Sequence, residues 1–97
     1  MLERELEMNP MDPFNHYAFA LEIKAPDPAA SMAKLLDMVQ RFPDYVPAYY
    51  QAAQLLIEAG RQGEAVAILE KGIAEAVKQK NNKAAAEMRS LLDEITF

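Results

Sequence analysis

The sequence predicts an all-α fold in which about five helices stack as antiparallel pairs. Two groups of residues recur at nearly the same spacing. Phe14, Ala18 and Leu21 recur 35 residues later as Tyr49, Ala53 and Leu56, and Leu35, Met38 and Val39 recur 34 residues later as Leu69, Gly72 and Ile73. Helix pairs repeated at this period cannot bury their apolar faces alone, so they stack on neighbours and leave an extended surface for a partner. The repeat therefore favours a binding module over a catalyst.

The first two helices are marked by the same start signal. Asp12-Pro13 and Asp27-Pro28 each place an N-cap residue before a proline at the first helical position. Apolar spacing after the first signal predicts a helix that runs to Ile23. The second helix is expected to end before Pro43, because proline disfavours a helical conformation in the residue that precedes it.

The third helix, over residues 47–59, is the most apolar of the five. Its polar residues Gln51, Gln54 and Glu58 are spaced three and four apart, so one narrow strip reaches water and this helix is expected in the middle of the stack. Gly60 is placed to end it in a left-handed turn. A fourth helix follows from residue 62 to about residue 80. Its predicted interior residues are Val66, Leu69, Ile73 and Val77.

The two ends of the chain are expected to close the stack. Asn81 and Asn82 are turn and cap residues before a last helix, whose apolar stripe is Ala84, Met88, Leu91, Leu92 and Ile95. Its opposite face is polar, which suits a capping helix. Residues 1–11 are expected to form a short N-terminal helix or stub.

Composition excludes several classes of function. The chain of 97 residues is expected to form one domain, and its net charge of −5 opposes binding to nucleic acid. No segment approaches the ~20 apolar residues of a membrane span, and no secretory signal is recognisable. The chain has no cysteine, which excludes a disulfide framework and a thiolate metal site. A cytoplasmic location is expected.

The residues from 44 to 73 closely resemble a tetratricopeptide repeat. Tyr49, Ala53, Leu56, Gly60 and Glu64-Ala65 match in order the aromatic, small, large apolar, glycine and Glu-Ala positions of the family pattern. The resemblance implies an α-α superhelix of stacked helix pairs. It places a degenerate repeat at residues 12–43, a second segment at 44–80 and a capping helix at 81–97. Within the second segment, residues from 44 to about 77 match the family pattern well. In the degenerate repeat, residues 25–28 replace the usual glycine turn.

The packing expected from this pattern combines small and large side chains. Ala18, Ala53 and Ala65 let helix axes approach within ~8–10 Å, and large side chains fill the remaining space. The large residues predicted to do so are Phe14, Tyr49, Leu56 and Leu69.

The resemblance also implies a site. In this family the concave face formed by the first helices binds extended peptides, and the matching positions are Asn15, Phe19, Glu22, Tyr50, Gln54 and Ile57. Aromatic rings supply contact area, and the amides can pair with a peptide backbone. The alternative is that the chain's own ends cover Phe19, Tyr50 and Ile57. The carboxylate clamp of one subclass of the family is disfavoured, because Asn15 and Phe19 stand where the clamp has Lys and Asn. An apolar or weakly basic ligand is expected, since Glu22 and Glu58 are close to the groove.

Catalytic, metal and cofactor sites are not expected. His16 is the only histidine, with no cysteine or glycine-rich loop to complete a catalytic arrangement, and it is expected at the surface or at its boundary. Glu3, Glu5 and Glu7 alternate near the start of the chain, but no further metal ligand is evident beside them. The sequence therefore predicts a non-catalytic module that binds a protein or peptide. The alternative function is self-association into homo-oligomers through the ends of the stack.

Overall fold

Residues 11–96, the part of the chain that the computed structural model describes, contain five helices. They are α1 (Pro13–Glu22), α2 (Pro28–Arg41), α3 (Pro47–Glu58), α4 (Gln62–Lys78) and α5 (Asn82–Thr96). No strand occurs among these residues, so the all-α prediction and the expected number of helices are confirmed. The predicted stub at residues 1–11 lies outside the described residues except for Met11.

The chain divides into two compact units, Met1–Tyr45 and Val46–Phe97. The first contains α1 and α2, and the second contains α3, α4 and α5. The division falls two residues after the boundary at 43/44 that the sequence predicts between the two repeats. The prediction of one domain with four segments stays a prediction.

Both helices of the first unit begin at the predicted caps. The Asp12 carboxylate accepts a hydrogen bond from the Phe14 backbone N–H at 3.0 Å, and the Asp27 carboxylate accepts one from the Ala30 N–H at 3.1 Å. Each carboxylate thus satisfies one of the N–H groups that have no partner within the helix. A proline occupies the first turn of both helices, where its missing N–H costs nothing.

One buried hydrogen bond joins α1 to α2. The Ser31 hydroxyl of α2 donates to the Ala20 carbonyl oxygen of α1 at 2.7 Å. Ala20 lies in the last turn of α1, where carbonyl groups lack a partner within the helix. Ser31, Ala20 and Leu35 are all fully buried. The hydroxyl therefore satisfies a carbonyl that would otherwise be buried without a partner, at the centre of this helix pair.

The side of α1 that is buried differs from the predicted one. Phe14 is 59% exposed and Leu21 is 37% exposed, so the prediction that Phe14 fills the core is wrong. Ala18 is only partly covered, whereas Ala20 is fully buried. His16 is buried as well, with its ring centroid 5.5 Å from that of Phe42, so the expectation of a surface or boundary histidine is also wrong.

The burial pattern gives a repeat spacing of 33 residues between α1 and α3 instead of 35. At this spacing His16 corresponds to buried Tyr49 and Ala20 to buried Ala53. Between α2 and α4 the spacing stays at 34, since Ser31 and Ala65 are both fully buried. The physical reason lies in the connection after α1. Ala20 and Ser31 are 11 residues apart, against 12 for Ala53 and Ala65, and α1 is connected to α2 through residues 23–27 without the glycine turn that follows α3.

In the second unit, α4 packs against both α3 and α5. The interior of this unit is made of small and large apolar side chains, as predicted. Those exposed by 4% or less include Tyr49, Ala53, Leu56, Ala65, Leu69, Ala76, Ala85 and Met88. Gly72 lies where α4 meets both neighbours, and a β-carbon built on it would come within 2.7 Å of the Tyr49 Cβ. The close approach that the family pattern requires is therefore supplied by glycine here.

Left-handed residues follow the last turns of both α3 and α4. Gly60 has a φ of +77°, and the Arg61 N–H bonds to the Leu56 carbonyl at 2.8 Å, which ends α3 as predicted. At the other end Lys80 has a φ of +60°, and the Asn81 N–H bonds to the Ala76 carbonyl at 2.8 Å. The helix thus ends at Lys78, two residues before the predicted end.

The last turn of α4 also corrects one predicted core residue. Val77 is 50% exposed, so its assignment to the interior is wrong. The buried residues of α4 are Ala65, Leu69, Gly72 and Ala76, and a residue directly after one of them is turned about 100° away from the core. After this turn, the Asn81 side chain caps α5 by accepting from the Ala84 N–H at 3.1 Å.

Candidate functional site

The residues predicted on α3 share one face of that helix. Tyr50, Gln54 and Ile57 are spaced four and three apart, which places them in line along the helix. All three are half-buried, while the neighbouring positions Tyr49, Ala53 and Leu56 are buried. With Gln51 they form a half-buried strip beside the buried residues of this helix. We call Tyr50, Gln54 and Ile57 the α3 face.

The residues predicted on α1 differ widely in exposure. Asn15 is buried with 6% of its surface exposed, Phe19 is half-buried and Glu22 is exposed. At a spacing of 33 residues they correspond to Ala48, Ala52 and Leu55, and all three of those are buried. The predicted groove that joins Asn15, Phe19 and Glu22 to the α3 face stays a prediction.

The same spacing identifies other residues of α1 as the equivalents of the α3 face. Tyr17 corresponds to Tyr50, Leu21 to Gln54 and Lys24 to Ile57. Tyr17 and Lys24 are half-buried, and Leu21 is exposed. The sequence reasoning missed them because it took Phe14, Ala18 and Leu21 for the core. The signal that could have found them is the second small residue, Ala20, which lies four residues after a ring at His16.

Tyr17 is part of an aromatic pair at the surface of the first unit. Its ring lies 5.4 Å from that of Tyr45, measured between centroids, with an interplanar angle of 60°. This is the edge-to-face arrangement that aromatic rings prefer. Burial raises the pKa of the Tyr45 phenol, and the nearby Tyr17 and Asp12 raise it further because they oppose a second negative charge.

His16 belongs to a stack of side chains in the interior of the first unit. Its ring packs against Phe42, and the Arg41 guanidinium carbon lies 5.3 Å from the centroid of the Phe42 ring. Arg41 also pairs with Asp37 at 3.3 Å. A histidine that is 94% covered and packed against a phenylalanine contributes to packing, which is a structural role.

The described residues contain neither a candidate metal site nor a membrane-spanning helix. Among residues 11–96, no group of three histidine, cysteine, aspartate or glutamate side chains is placed to hold a metal ion. Glu3, Glu5 and Glu7 lie outside the described residues. None of the five helices is long and apolar enough to cross a membrane.

Two structures resemble this one over most of its length. One is a solution NMR structure of a tetratricopeptide repeat domain protein from Salinibacter ruber, with a TM-score of 0.84 and 30% identity, covering 90% of this chain and 89% of that chain. The other is a crystal structure of a tetratricopeptide repeat domain protein from the same organism, with a TM-score of 0.81 and 29% identity, covering 87% of this chain and 94% of that chain. The chain matches no protein-family model and no curated protein.

Proposed function

Because the chain belongs to the tetratricopeptide repeat family, we propose that it is a non-catalytic module that binds an extended segment or a helix of another protein. The observation that carries the proposal is the exposure pattern of α3. This helix is covered on most sides, yet its half-exposed strip contains a tyrosine, an amide and an isoleucine in line. Such a strip costs free energy when it faces water and gains free energy when a partner covers it.

The chemistry of the α3 face suits a peptide partner. The Tyr50 ring is a large amphipathic surface of the kind enriched in protein interfaces. The Gln54 amide can both donate to and accept from a peptide backbone, which fixes the register of a bound segment. Ile57 adds apolar contact one turn further along the helix. A surface this small supports affinities near the micromolar range, so tighter binding would need several copies acting together.

The test is affinity capture from a native cell extract with three forms of the intact protein. They are the unaltered chain, a Tyr50→Ala, Gln54→Ala double variant, and a Glu70→Ala, Lys71→Ala control on the exposed side of α4. We expect a protein that is retained by the unaltered chain and the control and lost by the α3 variant. Circular dichroism melts must show that the three forms fold alike. Equal capture by all three forms would exclude the α3 face as the interface.

A second candidate function is self-association through the end of α5. Leu91, Leu92 and Ile95 are only half-buried in the last turns of this helix, and they could pack against the same residues of another copy. Light scattering at increasing concentration separates this candidate from the first. A Leu92→Gln variant should lower the mean mass if α5 joins copies, whereas a constant mass equal to the 10.9 kDa monomer would exclude it.

A further inference from the structure

The outer side of α1 presents large apolar side chains to solvent. Phe14, Tyr17 and Leu21 are spaced three and four apart, so they lie in line on one face of the helix. Phe14 and Leu21 are exposed and Tyr17 is half-buried. Met11, which precedes the helix, is 74% exposed. An apolar strip of this kind on a small acidic protein is typical of a surface that a partner covers.

The strip ends at a carboxylate. Asp12 caps α1, and its carboxylate accepts a hydrogen bond from the backbone N–H of Phe14, which lies one turn before Tyr17. The Tyr45 ring packs edge-to-face against that of Tyr17, and burial, Tyr17 and then Asp12 raise the pKa of its phenol. One carboxylate and two phenolic rings therefore come together at the start of α1. We call Asp12, Phe14, Tyr17, Leu21 and Tyr45 the acidic aromatic surface.

The charges of the first unit leave this surface negative. Residues 11–45 contain five acidic and three basic side chains. Of the basic ones, Arg41 pairs with Asp37 and stacks on Phe42, and Lys34 lies one turn before Asp37 on α2. Lys24 follows the opposite end of α1. A partner that complements the Asp12 end must therefore bring a positive charge with it.

We propose that the acidic aromatic surface binds a segment of a partner protein in which a lysine or arginine stands two residues before a large apolar residue. The cation lies against the tyrosine rings and the Asp12 carboxylate, because ring faces and carboxylates both attract ammonium and guanidinium groups. The apolar residue covers Leu21. In an extended segment, side chains two residues apart lie on the same side and about 7 Å apart, which is close to the rise of α1 from Tyr17 to Leu21. The proposal rests on the proposed function and names the chemistry of the partner.

The probe is the acetylated and amidated pentapeptide Ala-Arg-Ala-Leu-Ala, titrated into the full chain while the ring signals of Tyr17 and Tyr45 are followed by NMR. The comparison peptide carries citrulline in place of arginine, which keeps the shape and removes the charge. We expect saturable shifts of both rings with the arginine peptide and affinity about fivefold weaker with the citrulline peptide. Equal affinity for both peptides would overturn the cation site while leaving a peptide-binding module intact.

The chain offers a matched pair of variants. Asp12→Asn and Asp27→Asn remove one negative charge each and keep a good N-cap residue, but only Asp12 belongs to the acidic aromatic surface. We expect Asp12→Asn to lower the affinity for the arginine peptide about fivefold and Asp27→Asn to leave it unchanged. Equal loss in both variants, or no saturable shift in the unaltered chain, would overturn the proposal. Ring shifts that follow protein concentration without peptide would identify a second copy as the occupant and would also overturn it.

Discussion

Gly72 of α4 and Tyr49 of α3 are in such close contact that a side chain at position 72 would overlap the tyrosine. A β-carbon on Gly72 would come within 2.7 Å of the Tyr49 Cβ, 2.9 Å of the Tyr49 Cγ and 2.6 Å of the Met88 sulfur. The methionine end can move, but the tyrosine atoms adjoin the backbone of α3. One missing side chain therefore sets how near α4 lies to both of its neighbours.

We expect Gly72→Ala to lower the free energy of unfolding by about 1–3 kcal/mol, the usual cost of overpacking a core. The control is Gly63→Ala in the first turn of the same helix, where a new β-carbon meets nothing within 4 Å. Gly63→Ala should be neutral or stabilising by up to about 1 kcal/mol, because alanine favours a helix. Urea denaturation of both variants measures the difference. If Gly72→Ala were as stable as Gly63→Ala, the close contact with Tyr49 would be wrong.

Ser31→Ala tests the hydrogen bond that joins α1 to α2. Removing the hydroxyl leaves the Ala20 carbonyl buried without this donor, so we expect a loss of about 1–3 kcal/mol in the free energy of unfolding. Ser90→Ala on the exposed side of α5 is the control and should change stability by less than about 0.5 kcal/mol. If the Ser31 hydroxyl did not contribute to stability, thermal melts of the two variants would coincide.

Lys80→Gly should stabilise the chain. Lys80 holds a left-handed conformation with φ of +60°, which costs an ordinary residue roughly 1–2 kcal/mol and glycine almost nothing. Glycine loses more freedom on folding, so a net gain of about 0.5–1 kcal/mol is expected. Lys78→Gly, within α4, should instead destabilise by up to about 1 kcal/mol. Chemical denaturation that gave both variants the same sign would contradict the assigned end of α4.

Leu69→Ala and Val77→Ala test the two sides of α4. Leu69 is fully buried, and its truncation should cost about 2–5 kcal/mol through lost contacts and a cavity. Val77 is half exposed, so its truncation should cost less than about 1 kcal/mol. The midpoint of thermal unfolding, measured under the same conditions for both, orders the two variants. A larger loss for Val77→Ala would restore Val77 to the core.

The second repeat could be predicted from sequence because its key positions hold the residue types that packing demands. Tyr49, Leu56 and Leu69 are large and apolar, so one choice of register buries all three. Gly60 has the positive φ that its residue type suggests. Each local preference agrees with the fold, and agreement at several levels is what makes a pattern readable.

The first repeat could not be read in the same way. Its aromatic position is held by His16, a polar residue, while the apolar Phe14 stands two residues earlier and is exposed. Ala18 and Ala20 both offer a small residue, so the spacing alone allowed two registers. The structure adopts the register that buries Ala20, in which the Ala20 carbonyl accepts the hydrogen bond from the Ser31 hydroxyl. The side of α1 that faces outward was mispredicted for the same reason.

The hydrogen bond from the Ser31 hydroxyl to the Ala20 carbonyl fixes the rotation of α1 about its long axis. A hydrogen bond is directional, so the 2.7 Å bond at the last turn of α1 forms in only one rotation of that helix about its long axis. That rotation decides which of the ten side chains of α1 are exposed to a binding partner. A single oxygen atom on α2, buried where no partner can contact it, therefore selects the outward side of α1.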